Sequence, residues 1–187
     1  MNLWLRMLCV LVASLFRPRL AMTDPSVLRF RVMPHDLDIN VHMNNARYLA
    51  LMDLGRFDLI ARAGLWRPMF RKRWQAVIGG VVVRYRRPLK PFQAFALHSR
   101  MLCWDERWIY IEHRIEAGGV PACLTLVRAA FLKNGAIVPP LDVAGELGFA
   151  GPVPPVPAWV EQWRTLDGAF DDQPVLTVAG KEKTCAR

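Results

Sequence analysis

The sequence contains few cysteines and no pattern that would place them around a metal. Its four cysteines, Cys9, Cys103, Cys123 and Cys185, are spread along 187 residues, without a Cys-x-x-Cys pair or a histidine at zinc-ligand spacing. This distribution predicts a reducing compartment, with Cys103 and Cys123 as buried, inert thiols. We therefore expect neither a metal site nor a cofactor.

Acidic residues are also scarce relative to basic ones. The chain has 16 aspartates and glutamates against 25 lysines and arginines, which gives a net charge of +9 and a pI of about 10.0. Such an excess favours an anionic partner, either nucleic acid, lipid headgroups or a phosphorylated cofactor. The helix-turn-helix, zinc-finger and aromatic RNA-binding motifs are missing, and the tryptophans do not interleave with basic runs. We therefore expect no nucleic-acid partner.

The N-terminus holds the longest apolar stretch, which is too short to cross a bilayer. Leu3 to Phe16 is nearly all apolar, whereas a spanning helix needs about 20 such residues. A secretory signal would carry its charge before the stretch, but here Arg17 and Arg19 follow it. Residues 1–23 are thus predicted to form an uncleaved helix, which either lies in a membrane interface or packs on the domain. We expect a cytoplasmic protein, membrane-associated under the first alternative, with residues before Asp24 dispensable for folding.

The rest of the chain alternates between two hydrophobic periods. Val27 to Met33 alternates apolar with basic residues, as a half-buried strand does. Ala46 to Leu65 has helical spacing, with Asn44 or Asn45 as N-cap. Four strands are predicted to follow, over AVIGGVVVRYRRPL, FQAFALHSRMLCW, RWIYIEHRIEAGG and ACLTLVRAAFLKNG. Gly55 lies on the apolar stripe of the helix, where the missing Cβ would allow close packing on a sheet.

This order of elements predicts an α+β fold in which a curved antiparallel sheet wraps a long central helix. One domain is expected over residues 24–138. Residues 139–187 are rich in proline and glycine at first and are predicted to form a linker, a short helix from Ala158 to Phe170 and a polar tail.

The segment from His35 to Tyr48 concentrates the polar side chains that hydrolysis requires. Asp38 can act as a base or nucleophile, while Asn40, His42 and the helix amides can stabilise an oxyanion. The alternative is that these residues only cap the helix and fill a tight turn.

The run Asp38-x-Asn40-x-His42-Met43-Asn44-Asn45-x-x-Tyr48 resembles the signature of the hot-dog thioesterases, which include hydroxybenzoyl-CoA-type enzymes and plant acyl-ACP thioesterases. The resemblance covers residues 27–138. It is closer still to a small group of membrane-associated thioesterase-like proteins, which share the apolar N-terminal segment and an Arg-Tyr-Arg-Arg strand end. Enoyl-thioester hydratases of the same fold have a Pro after the Asn and a longer spacing to the His, both of which are missing here.

The resemblance assigns roles to individual residues. It implies Asp38, Asn40 and His42 as the catalytic set, an oxyanion-binding amide near Asn45, and Tyr48 beside the substrate. Two features depart from the family pattern. Val41 replaces the Gly that many bacterial members carry before the His, and no residue clearly matches the downstream acid or thiol of the plant enzymes, although Glu112 is available.

Basic residues form a second candidate site on and before one predicted strand. Arg84 and Arg86 would suit the phosphates of CoA or of a phosphopantetheine arm. The alternative is a solvated or membrane-facing basic surface. The remaining members of this group are Arg71, Lys72, Arg73, Arg87 and Lys90.

The sequence thus favours an acyl-CoA or acyl-ACP thioesterase that releases a carboxylic acid and a thiol. Two alternatives remain open, a hot-dog protein that binds acyl thioesters or lipids without turnover, and a membrane-peripheral structural protein. The resemblance also implies a homodimer or a dimer of dimers, because subunits of the family build their active sites at a shared interface.

Overall fold

The computed structural model describes residues 3–171. Its helices are α1 (Leu3–Phe16), α2 (Asn45–Ala63), α3 (Trp66–Lys72), α4 (Pro140–Glu146) and α5 (Ala158–Asp171). Its strands are β1 (Ser26–Arg31), β2 (Gln75–Tyr85), β3 (Ala94–Trp104), β4 (Ile109–Ala117), β5 (Val120–Lys133) and β6 (Ala136–Val138). The order of one strand, one long helix and four long strands is the predicted order.

The strands form a single antiparallel sheet in the order β1-β3-β4-β5-β2, with the short β6 paired to β5. Helix α2 packs on β1 and β3, on the inner face of the curled sheet. This confirms the predicted α+β hot-dog fold. Strand β2 lies at one edge, and all of its residues retain solvent exposure in the single chain.

Local sequence signals fix both ends of α2. The Asn44 side chain accepts a hydrogen bond from the Ala46 amide at 2.9 Å, so Asn44 is the N-cap. Gly64, with φ of 84°, ends the helix in the left-handed conformation. Between them Gly55 lies against Ser99 of β3, where an added Cβ would overlap the hydroxyl oxygen. The predicted close approach at Gly55 is confirmed.

Helix α1 packs on α2 and contributes to the main core. Val10 lies in the same buried cluster as the α2 residues Leu51 and Met52. Arg6 is 3% exposed and pairs with buried Asp36, whose carboxylate lies 2.7 Å away. This packing argues against the expectation that residues before Asp24 are dispensable for folding, which stays a prediction for a truncated chain to test. Within residues 3–171, no helix is long and apolar enough to cross a membrane.

The structure differs from the predicted linker after residue 138. Residues 140–146 form α4, which begins with Pro140 at its first position, a place where proline is favourable. Val143 and Ala144 of this helix are buried in a cluster with Trp104. The proline and glycine content concealed a helix that packs on the domain.

Helix α5 belongs to a second unit that begins at Pro155. Its range, Ala158–Asp171, agrees within one residue with the predicted helix. The predicted polar tail, residues 172–187, lies outside the described part of the chain.

Candidate functional site

The loop between β1 and α2 folds back on itself as a narrow turn. Leu37 and Met43 form an isolated antiparallel bridge. Inside it, the Asp38 amide donates to the His42 carbonyl at 2.9 Å, and the Val41 amide donates to the Asp38 carbonyl at 3.1 Å. Backbone hydrogen bonds thus hold the two ends of the Asp-x-Asn-x-His segment together.

Val41 occupies the tip of this turn with a φ of 58°. A β-branched residue is strained in the left-handed region, which glycine occupies freely. The turn therefore explains why a glycine suits the position before the histidine. Val41 adopts this conformation at a cost in free energy.

The turn brings the three predicted catalytic residues together, in different environments. Asp38 is half-buried, and its Oδ1 accepts a hydrogen bond from the Asn40 amide at 2.8 Å. Among the described residues, none donates to the other carboxylate oxygen, Oδ2. His42 is half-buried and Asn40 is exposed. Asp38 thus has one oxygen fixed by the turn and one available for chemistry.

The start of α2 supplies a hydrogen-bond donor. The Asn44 carboxamide is engaged with Ala46, whereas the backbone amide of Asn45 has no partner within the described chain. Asn45 itself is exposed, and its carbonyl accepts a hydrogen bond from the Tyr85 hydroxyl at 3.0 Å. This contact ties the end of β2 to the helix N-terminus, where the helix dipole favours negative charge.

Tyr48 is buried beneath the loop rather than open to solvent, with 2% exposure. Its hydroxyl accepts a hydrogen bond from the Leu89 amide at 3.3 Å, and its ring meets Tyr85 edge-on with centroids 5.3 Å apart. Burial raises the pKa of the Tyr48 phenol above its ordinary value of 10.0, although the hydrogen bond from the Leu89 amide acts in the opposite direction. The buried Tyr48 phenol is therefore neutral.

Asp36 is a central residue of the loop that the sequence analysis missed. Its buried carboxylate accepts hydrogen bonds from Arg6 at 2.7 Å and from the Met33 amide at 2.9 Å. Arg47 Nε lies 3.8 Å from the same carboxylate, and the Asp36 carbonyl accepts from the Asn44 amide at 2.8 Å. One residue therefore connects α1, the loop and the cap of α2. The signal in the sequence was the arginine within the apolar N-terminal stretch.

The predicted phosphate-binding arginines lie at the end of β2. Arg84 and Arg86 are both exposed. They flank Tyr85, and strand alternation places the Arg84 side chain on the face opposite to Tyr85. Both arginines neighbour Tyr85 in sequence, but the Arg84 side chain lies on the other face of the strand from the Tyr85 contact with α2.

Other candidate site residues form ion pairs elsewhere in the structure. Arg71 and Lys72 belong to α3, and both pair with Glu146 at 2.6 Å. Glu112 pairs with Arg100 at 2.6 Å and alternates along β4 with buried residues of the inner face, so it lies on the side of the sheet away from α2. The structure therefore separates Glu112 from the Asp38 loop. Within the described residues, no cluster of His, Cys, Asp and Glu has a geometry that could hold a metal ion.

Comparisons with known proteins agree with this fold. The chain is 43% identical over 86 residues to Protein THEM6 of Xenopus laevis, covering 46% of this chain and 42% of that one. It is 29% identical over 119 residues to a probable thioesterase of Saccharomyces cerevisiae, covering 62% of this chain and 52% of that one. The chain spans about half the length of these curated relatives.

Solved structures support the fold. The probable thioesterase YbaW of Escherichia coli superposes with a TM-score of 0.62 at 18% identity, covering 66% of this chain and 96% of that one. A Thermus thermophilus thioesterase, solved with coenzyme A and Zn, superposes with a TM-score of 0.57 at 24% identity, covering 68% of this chain and 96% of that one. The profile described as the Thioesterase-like superfamily matches residues 32–164, most of the chain, and the protein belongs to that superfamily.

Proposed function

We propose that this protein hydrolyses the thioester of an acyl-CoA or an acyl carrier protein, releasing a carboxylic acid and a thiol. The observation that carries the proposal is the Asp38 carboxylate, which has one oxygen held by the turn and one without a partner in the described chain. It lies in the loop that leads directly into the N-terminus of α2, where the Asn45 amide is unengaged. A base and an oxyanion donor are the parts that thioester hydrolysis needs.

The proposed reaction uses Asp38 as a general base. Its carboxylate takes a proton from water while the water oxygen attacks the thioester carbonyl carbon. The Asn45 amide and the helix dipole stabilise the oxyanion, with His42 and Asn40 orienting the water and the acyl group. The C–S bond then breaks, and the departing thiolate receives a proton from Asp38, so that the carboxylate is restored.

The arginines at the end of β2 are the proposed anchors for the carrier. Arg84 and Arg86 are exposed, and no acidic partner engages them in the described structure. Phosphates of CoA or of a phosphopantetheine arm match such guanidinium groups. Replacing both with Ser should raise KM for acyl-CoA more than it lowers kcat. An unchanged KM would remove this assignment.

We also propose that the protein forms a homodimer through β2. This edge strand has eleven residues and exposes Ile78, Val81, Val82 and Tyr85 by 41–45%. An apolar edge strand with unpaired backbone groups is a template for pairing with another strand. A second copy of the same edge, related by a twofold axis, would do so. Sedimentation of a monomer at micromolar concentration would contradict this arrangement.

A peripheral membrane contact through α1 is proposed on the basis of its outer face. The inner face buries Arg6 and Val10, while Trp4, Leu15 and Phe16 are exposed by 70%, 79% and 84%. Exposed aromatic and aliphatic residues with nearby arginines suit a lipid interface. Replacing Trp4, Leu15 and Phe16 with Ser should abolish co-sedimentation with anionic vesicles without unfolding the chain. Equal partitioning of the variant and the wild type would exclude the contact.

A non-catalytic protein that binds acyl thioesters or lipids is the second candidate. The observation that favours it is the Asn40 amide, which engages Asp38 Oδ1 in the manner of an ordinary turn-forming aspartate. A panel of acyl-CoAs, with thiol release followed by a colour reagent and binding followed by calorimetry, separates the two. Thiol release supports the hydrolase, whereas binding without release supports the second candidate.

A further inference from the structure

A second region of the molecule has the form of a ligand site, and it lies away from the Asp38 loop. An apolar cavity of about 190 Å³, partly open to solvent, lies between the C-terminal half of α2 and the inner face of the sheet. Its wall includes Phe57 and Ile60 of α2, Ile111 of β4 and Phe131 of β5, and Met22 closes one side. Almost all of the lining is hydrophobic, so the cavity suits an aliphatic group.

One ion pair interrupts this apolar lining. The charged residues of the wall are Asp53 and Arg56, one turn apart on α2 and paired with each other. The Asp53 side chain is 51% exposed, so it reaches toward solvent, whereas the Arg56 side chain is only 15% exposed. The cation is therefore better shielded from water than its carboxylate partner.

A buried neutral histidine holds Arg56 in place. Arg56 Nη1 lies 3.2 Å from His113 Nε2, and His113 Nδ1 lies 2.8 Å from Ser99 Oγ. A guanidinium only donates hydrogen bonds, so Nε2 must be the acceptor and the imidazole carries its proton on Nδ1. His113 thus orients Arg56 without contributing a negative charge that would neutralise it.

The environment leaves the Arg56 cation incompletely compensated. Desolvation by burial lowers the pKa of its guanidinium to about 10. Asp53 and His113 engage part of the guanidinium, and its remaining N–H groups have no partner in the described structure. A desolvated cation with free donors at the edge of an apolar cavity is a site for an anion that carries an aliphatic tail.

We propose that this cavity binds a free aliphatic carboxylic acid of medium chain length, with its tail between α2 and the sheet and its carboxylate on Arg56. An apolar cavity of about 150 Å³ holds benzene, so the present volume accommodates about seven or eight carbons. Asp53 lies eight residues beyond Asn45, about 12 Å along the helix. The lining contains none of Asp38, Asn40 and His42. Binding at this site does not depend on catalysis, although an acid of this class is what the proposed hydrolysis would release.

Calorimetric titration of the purified full-length chain with butanoate, octanoate, dodecanoate and 1-octanol tests the proposal. Affinity should rise about fourfold per methylene from butanoate to octanoate and then level off, because longer tails exceed the cavity. Octanoate should bind at least about tenfold more tightly than 1-octanol, since only the carboxylate pairs with Arg56. Equal affinities for octanoate and 1-octanol would overturn the proposal.

Two variants, each with a matched control, test where the ligand binds. Arg56→Met should weaken octanoate at least about tenfold while leaving 1-octanol unchanged, and Arg100→Met, which removes an exposed arginine of β3, should change neither. Ala129→Leu fills the cavity from β5 and should abolish binding of both ligands, whereas Ala94→Leu, at an exposed position of β3, should not. If circular dichroism shows that Arg56→Met is unfolded, the effect of Ala129→Leu on octanoate binding tests the location of the site.

The proposal can fail separately from the proposed hydrolysis. Asp38→Asn should bind octanoate like the wild type, because Asp38 does not line the cavity. Octanoate binding that survives Ala129→Leu, or that is lost in Asp38→Asn, would place the ligand elsewhere and overturn the inference. Neither outcome depends on whether the protein releases thiol from acyl-CoA.

Discussion

Removing the Arg6 guanidinium tests whether α1 holds the candidate catalytic loop in place. Arg6→Met keeps an unbranched apolar stem but removes the guanidinium, and it leaves Asp36 buried, at 1% exposure, without its principal partner. Breaking a buried ion pair by removing one partner costs about 3–5 kcal/mol. The lower end of this range, about 3 kcal/mol, is expected because Arg47 lies within 3.8 Å and the Met33 amide still donates.

Arg17→Met is the matched control at the other end of α1. Arg17 also pairs with a buried aspartate, Asp58, but Arg17 is 32% exposed, and Asp58 keeps Arg62 and Ser26 as partners. Its loss should therefore cost about 1 kcal/mol, and Asp58 does not belong to the loop. Urea unfolding measures both free energies.

The two variants should also differ in turnover. In Arg6→Met the loop between β1 and α2 loses its anchor, so kcat for thioester hydrolysis should fall by about tenfold or more, with KM little changed. Arg6→Lys should recover part of the loss, and Arg17→Met should keep the wild-type kcat. A loss of less than about 1 kcal/mol in Arg6→Met, or an equal fall in kcat for both variants, would refute this role of α1.

Three further predictions each concern the effect of one residue on stability. Val41→Gly should raise the unfolding free energy by about 1 kcal/mol, since it relieves a φ of 58°, and a lower urea midpoint would contradict the strain. Gly55→Ala should lower the melting temperature through a cost of about 1–3 kcal/mol, because its Cβ meets Ser99; an unchanged value would show that the helix can shift. Burial holds the pKa of His113 well below 6.5, so only the unfolded chain gains this proton as pH falls below 6.5. Stability should therefore fall from pH 6.5 to pH 5 more steeply in the wild type than in His113→Gln, and identical slopes would refute this.

The fold was largely predictable because its signals are local. The alternation along β3, β4 and β5, the helical spacing of α2 and its Asn44 cap each depend on residues a few positions apart. Helix α4 was missed because prolines and glycines dominate its surroundings, and its stability comes from burying Val143 and Ala144 against Trp104. Trp104 lies about forty residues before α4 in the chain, so no local pattern indicates this packing.

The candidate site was predictable only in part, because some of its contacts join residues that are far apart in the sequence. The turn that unites Asp38 with His42 is local, and so is the unpaired amide at the start of α2. The Arg6–Asp36 pair joins residues thirty positions apart. The arginine within the apolar stretch marks one partner, but no local pattern indicates that Asp36 is the other. Glu112 was considered for chemistry, but strand alternation turns it away from α2, which depends on the register of β4.

The most direct test of the proposed hydrolysis is thiol release by Asp38→Asn. The amide is nearly isosteric with the carboxylate and still accepts from the Asn40 amide, so the turn should persist, but it takes no proton at neutral pH. Turnover of acyl-CoA should fall by at least about a hundredfold, with the melting temperature and acyl-CoA binding retained, while Asp142→Asn at an exposed position of α4 keeps the full rate. A wild type that turns over acyl-CoA together with an Asp38→Asn variant that retains most of that rate would contradict the account and leave Asp38 as a turn residue.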